Sequence, residues 1–183
     1  MRTPEVNTTH FVVELLEKDR ALTLGQLARW GIRLEVPLRD PDAREVRFRQ
    51  VELPRTARSR KVIPVTVVEL RREAPLDERI LPHVLGVAEV RRILWGSVDA
   101  WDASGASRMR AAVEVPDAVA VRGDGLWAVE YDTGAYTEAV VRRKCEAFGE
   151  GYAGQIWAVP AERRAAWLRR LGVPGPIVVA PWW

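Results

Sequence analysis

Two rhythms of apolar and polar positions run along this chain. From residue 8 to residue 31 the spacing is helical. Phe11, Leu15 and Leu16 share one face of a segment from Thr8 to Arg20, with Thr8 or Thr9 placed to cap it. A second helix is predicted over 23–31: Thr23 caps it, Leu24, Leu27 and Ala28 form its stripe, and Gly31 stops it. Such a pair opens either a helix-turn-helix or a plain helical hairpin. No recognition helix follows in the pattern; Leu34 to Pro37 reads as extended and Asp40-Pro41-Asp42 as a turn. Residues 45–53 then alternate apolar and polar, as a half-buried strand does, and the β-branched run Val62 to Leu70 is its partner.

The second half changes rhythm several times. Val87, Val90, Arg91 and Leu94 are spaced by three or four, which predicts a helix over 84–95 ended by Gly96. Three strand signals follow: 97–101, 111–121 (broken by Pro116) and 126–132. The last two are joined by the turn Arg122-Gly123-Asp124-Gly125. A helix over 135–149, a strand over 154–159, a helix over 161–171 and an apolar strand over 176–180 complete the order α-β-β-β-α-β-α-β. A three-strand meander leading into helix–strand crossovers predicts an α/β (α+β) fold, a mixed sheet with helices on its faces.

Composition narrows the classes. A length of 183 residues allows one domain, or one with a small appendage, and 48% hydrophobic with 29% charged residues is ordinary for a globular chain. No apolar run approaches the roughly 18 residues of a membrane span, and Met1 to Glu5 lacks the apolar core of an export signal, so a cytoplasmic protein without a membrane partner is expected. With one cysteine, Cys145, disulfide scaffolds, zinc ribbons and CxxC motifs are excluded; two histidines, His10 and His83, exclude a multi-histidine metal cage. Ser104 to Ser107 has no paired histidine, and Gly149-Glu150-Gly151 lacks the strand and lysine of a phosphate loop.

Charge adds a candidate partner. Of 28 basic residues only Lys18, Lys61 and Lys144 are lysine, and the net charge of +3 falls entirely in residues 1–80. Between the two predicted strands lies Pro54-Arg55-Thr56-Ala57-Arg58-Ser59-Arg60-Lys61, with four cations and no acid. A basic loop between strands is what a winged module uses to reach a phosphate backbone; the alternative is a solvated loop. Arg55, Arg58, Arg60 and Lys61 are therefore candidate DNA-binding residues.

The candidate chemistry lies further on. Strand alternation puts Glu130 and Asp132 on one face and Trp127, Val129 and Tyr131 on the other. The hairpin turn brings Asp117 back beside the end of that strand. Asp117, Glu130 and Asp132 thus converge on a plausible site for a hard cation such as Mg²⁺ (or Mn²⁺). In the next helix Val140, Val141, Cys145 and Phe148 define an apolar arc, and Lys144 falls inside it. An inward lysine needs a carboxylate or a chemical role. Either it reaches back to Glu130 or Asp132 to stabilise a phosphoryl transition state, or its stem packs while the ammonium escapes to water.

Pro116-Asp117, then Glu130-Tyr131-Asp132 after a hairpin, then lysine in the following helix resembles the PD-(D/E)XK nuclease superfamily. A closer resemblance is to the plasmid replication-relaxation protein family. It is carried by the His83-Val84-Leu85 segment opening a helix, Pro116-Asp117-Ala118, Glu130-Tyr131-Asp132, and Lys144 followed by Phe148 and Tyr152, over about residues 80–172. The resemblance implies a restriction-endonuclease-like αβββαβ core over 81–183 and a winged-helix-like DNA-binding region over 1–80. It also implies catalytic roles for Asp117, Glu130, Asp132 and Lys144, with metal held by Asp117, Glu130 and Asp132. The superfamily's lysine stands two residues after the glutamate; here that place is Asp132, and Lys144 takes the part from the helix, as in some members. Gln155 resembles a polar residue that some members place near the phosphate.

Two functions follow as expectations. One is a Mg²⁺- or Mn²⁺-dependent DNA phosphodiester hydrolase of a plasmid or phage-type element; homodimers are common in this class. The other is the same fold without cleavage, as a DNA-binding replication or regulatory module or a protein-interaction module, with Glu130, Asp132 and Lys144 as a structural ion network. His83 reads as a cap or packing residue and Cys145 as inert. Trp95, Trp127 and Trp157 read as core or sheet-face residues, and Trp182-Trp183 as either a partner contact or a packed chain end.

Overall fold

Thr23 opens its helix as its position predicts. Its hydroxyl accepts from the Gln26 N–H at 3.0 Å, and Gln26 Oε1 accepts from the Thr23 N–H at 3.0 Å, a reciprocal capping box. The computed structural model describes residues 8–32, 45–94, 96, 100–105 and 115–183. The readings of Leu34–Pro37, Asp40–Asp42, Trp95, 97–99 and 111–114 lie outside those residues.

The N-terminal elements are α1 (Thr8–Asp19), β1 (Ala21–Thr23), α2 (Leu24–Arg29), β2 (Val46–Pro54) and β3 (Val62–Leu70). β1, absent from the sequence reading, is too short to show a period. It pairs antiparallel with β3, which also pairs with β2, giving a three-stranded sheet in the order β1-β3-β2. Alternation splits β3 between two cores: Val68 packs with α1 and α2, and Val67 faces the opposite way. The small sheet is thus built from a strand between two helices and a later hairpin.

The remaining elements are α3 (Leu81–Ile93), β4 (Ala100–Asp102), β5 (Ala118–Arg122), β6 (Gly125–Tyr131), α4 (Glu138–Gly151), β7 (Gly154–Val159), α5 (Glu162–Arg170) and β8 (Ile177–Val179). From α3 to β7 they run α-β-β-β-α-β, as expected. The sheet order is β4-β5-β6-β7-β8, with β4, β5 and β6 antiparallel and β6, β7 and β8 parallel, so the sheet is mixed. Ala128, Trp157 and Val159 pack under α4 and α5 on one face; Val129, Tyr131, Ile156 and Ala158 meet α3 on the other. That second cluster also takes in Val51, Leu53 and Val67 of the first sheet, so α3 is a wall shared by both sheets. Trp182 is fully buried in it. No helix among the described residues is long and apolar enough to cross a membrane.

Gly86 lets α3 approach β6. A Cβ there would sit 2.1 Å from Cε1 of Tyr131, whose ring is fully buried and whose hydroxyl donates to Ala180 O at 3.0 Å. The ring cannot retreat without losing that bond. Gly86→Ala is therefore expected to cost about 3 kcal/mol, the upper end for overpacking. Tyr131→Leu in the same chain should recover most of it. Urea unfolding of the two variants checks this; a single variant within 1 kcal/mol of native stability would contradict it.

Candidate functional site

The β5–β6 hairpin sets the first two groups. Arg122 pairs with Gly125 across a two-residue turn, and Ala118 pairs with Val129. Carried one step further, the register places Asp117 opposite Glu130. Gly125 adopts φ 131°, which a side chain would resist. Asp117 stands just before its strand, and one of its oxygens, Oδ2, accepts the Tyr131 backbone N–H at 2.7 Å. Its other oxygen, Oδ1, lies 2.7 Å from His83 Nε2, in the first turn of α3.

Glu130 faces α4. Thr137 caps that helix, and its inner surface carries Val141, Lys144 and Phe148. Lys144 Nζ lies 3.0 Å from Glu130 Oε1 and donates to Val115 O at 3.4 Å, between the rings of Tyr136 and Phe148. Its ammonium is held inside and does not escape to water: the side chain is 7% exposed. The Tyr136 hydroxyl donates to Glu130 Oε1 at 2.5 Å, while Glu130 Oε2 is buried and has no hydrogen-bond partner among the described residues. Asp117, Glu130 and Lys144 are thus brought together at one end of the sheet, and His83 joins them.

Asp132 is not brought to them. β6 ends at Tyr131. Asp132 Oδ1 accepts from the Gly134 N–H at 2.8 Å, and Oδ2 accepts from Arg164 Nε at 2.6 Å. Arg164 also donates to Tyr136 O at 2.7 Å and stacks on Trp167 at 3.6 Å. Asp132 and Arg164 together clamp the loop that presents Tyr136 to Glu130. Gln155 is likewise committed: its amide donates to Cys145 O at 3.1 Å and accepts from Trp157 Nε1 at 2.9 Å. The sequence reading missed the pairing of His83, Tyr136 and Arg164; only His83 carried a signal, in its His-x-Leu segment.

Burial, reinforced by the Asp117 charge, pushes the Glu130 carboxyl up to about 8 against the pull of Lys144, His83 and Tyr136. Burial would lower His83, but Asp117 and Glu130 outweigh it and hold the imidazole above its ordinary value. A buried pair of carboxylates with one orphaned oxygen attracts cationic charge. Lys144 supplies one positive charge, and a protonated His83 a second. Among the described residues no group of three or more His, Cys, Asp or Glu side chains is arranged to hold a metal. The hard oxygen donors here are the pair Asp117 and Glu130.

The basic residues lie on the β2–β3 loop. Arg58, Arg60 and Lys61 are exposed. The loop is built: Ser59 N donates to Thr56 O at 2.9 Å, and Ser59 Oγ donates to Lys61 O at 3.0 Å. Arg55 differs from the others, its guanidinium lying 5.7 Å from the centre of the Trp183 ring.

No curated protein matches this chain, and no solved structure matches it. A family model does, and its match begins inside the basic loop and runs past α3, the carboxylate hairpin, Lys144 and β7. It covers residues 56–161, more than half of the sequence, and by that match the chain belongs to the replication-relaxation family.

Proposed function

We propose that this protein binds DNA in the replication of a plasmid-type element and hydrolyses a phosphodiester bond at the Asp117–Glu130–Lys144 site. The observation that carries the reading is Glu130. A fully buried carboxylate with an oxygen unpartnered among the described residues, beside a second carboxylate and a buried ammonium, is costly to keep in a fold unless it acts. The αβββαβ order around it and the family's replication-relaxation description support the same reading.

Mg²⁺ or Mn²⁺ fits the donor set, since Mg²⁺ takes one or two protein carboxylates and completes its shell with water and substrate phosphate. Asp117 and Glu130 would hold it. When bound, such an ion lowers the pKa of water and polarises the phosphate. Tyr131 N–H and His83 fix the Asp117 carboxylate, while Tyr136 and Lys144 hold Glu130 Oε1 and leave Oε2 free. Lys144 sets a positive charge beside the pair, where the extra negative charge of a phosphoryl transition state develops. Arg58, Arg60 and Lys61 attract the backbone over a long, salt-dependent range.

One observation favours a second reading. Lys144–Glu130 and a protonated His83–Asp117 balance each other without any ion, as a non-cutting DNA-binding module would require. Supercoiled and linear duplex DNA, incubated with Mg²⁺, Mn²⁺ or EDTA, separates the two. The first reading expects metal-dependent nicking that Asp117→Asn abolishes. Salt-dependent binding without cleavage under any metal establishes the second.

A further inference from the structure

The geometry points to the basic β2–β3 loop as one rim of the carboxylate site, so that a single stretch of duplex DNA lies across both; the inference rests on the DNA-binding reading above. The loop is pinned to the site's own wall. Ala57 N donates to Thr133 O at 2.9 Å, and Thr133 lies one residue past Asp132 and three past Glu130. An extended chain spans about 3.4 Å per residue, so Thr133 is within about 10 Å of Glu130. Arg58 adjoins Ala57 directly. Even with every segment fully extended, Arg58 stands within about 21 Å of Glu130 and Lys61 within about 31 Å, inside the roughly 34 Å turn of B-DNA.

Two further contacts fix this arrangement. At the start of the loop, Arg55 lies over the ring of Trp183, the residue after the buried Trp182. On the opposite side, Arg164 holds Asp132, so the strand end that receives Ala57 is braced. With the base of the loop tied down, the exposed Arg58, Arg60 and Lys61 form no ion pair among the described residues. A separate DNA handle would be free to swing away from the carboxylates; this one is hydrogen-bonded to the loop that leads out of them.

Thr133 is half-exposed at the junction and touches DNA only if the duplex crosses from loop to site. Anisotropy titrations of a labelled 30-base-pair duplex with the full chain, at several salt concentrations, test this. Arg58→Ala/Arg60→Ala/Lys61→Ala should weaken binding at least tenfold and reduce the salt slope by about 2 to 3. Thr133→Glu should weaken it several-fold and Thr133→Lys should tighten it, a gain that misfolding cannot produce. Gly149→Glu, adding the same charge at the far end of α4, should stay within twofold. Thr133→Glu and Thr133→Lys both matching Gly149→Glu, while the triple variant loses affinity, would overturn the shared surface and leave DNA binding intact. A triple variant that binds like the native chain would overturn the DNA-binding reading itself.

Discussion

Asp19→Ala is expected to destabilise the protein by about 3–5 kcal/mol, the usual cost of removing one member of a buried ion pair. Arg91 reaches from α3 to the last residue of α1, with Nε 2.7 Å from Asp19 Oδ1 and Nη2 2.5 Å from Oδ2; the two side chains are 4% and 0% exposed. Without Asp19 the guanidinium loses both of those bonds and keeps its place over the Trp30 ring, 5.3 Å away. For a chain of this size the midpoint of thermal unfolding should fall by roughly 6–20 °C. Asp19→Leu with Arg91→Met should restore native stability or exceed it, since neither charge then has to be desolvated.

The pair also predicts a pH dependence. Burial pushes Asp19 from 3.8 up to about 6, against the hydrogen bond and charge of Arg91. The folded chain then holds the proton more tightly than the unfolded one. This contribution to stability is complete below about pH 4 and is lost as the pH rises through about 6; two pKa units correspond to ~3 kcal/mol. The difference in unfolding free energy between native protein and Asp19→Asn, measured from pH 4 to 7, should show that decline. A flat difference, or a single variant costing under 1 kcal/mol, would mean the pair is hydrated in solution.

Several of these features were legible in the sequence because they depend on local rules. Thr23 and Gly31 bound α2 by capping chemistry and a left-handed stop. The 100° step of a helix put Lys144 on the buried face of α4, and counting outward from Asp124 brought Asp117 back to the strand end that carries Glu130 and Asp132; the register then sets it opposite Glu130. Asp132 shows where such counting stops. Strand parity assigns a face only while the strand lasts; β6 ends at Tyr131, and Gly134 at φ 99° turns the chain away. What Asp132 meets instead is Arg164, on another helix, which no periodicity connects to it.

The same limit hid His83 and the loop anchor. His83 sits in the first turn of α3, where a capping or packing role is the local inference, and its partner lies 34 residues on, past the β4 strand. Only the three-dimensional crossing of α3 over the sheet end joins them. The Ala57–Thr133 bond is backbone to backbone, so it has no side-chain signature at all. The basic composition of the loop was readable; its attachment to the site was not.

Glu130→Gln is expected to lower metal-dependent nicking on the order of 10³-fold while leaving the protein at least as stable as the native chain at pH 8. The two largest influences on this carboxyl, burial and the Asp117 charge, both oppose its ionised form, and together they outweigh Lys144. Its folded pKa of about 8 lies above the ordinary 4.5, so its contribution to stability is complete below about pH 4.5 and is lost as the pH rises through about 8. An amide keeps the shape and removes the charge. Lys144→Met should lose nicking too, but it should destabilise the protein at pH 8, because without the ammonium Glu130 must take up a proton to stay buried beside Asp117. A purely structural ion network predicts that both substitutions destabilise; a carboxylate retained for chemistry predicts the asymmetry, stability gained where activity is lost. Chemical unfolding at pH 8 beside the nicking assay reads both quantities on the same preparations. Glu130→Gln less stable than native by 2 kcal/mol or more would assign Glu130 to the scaffold.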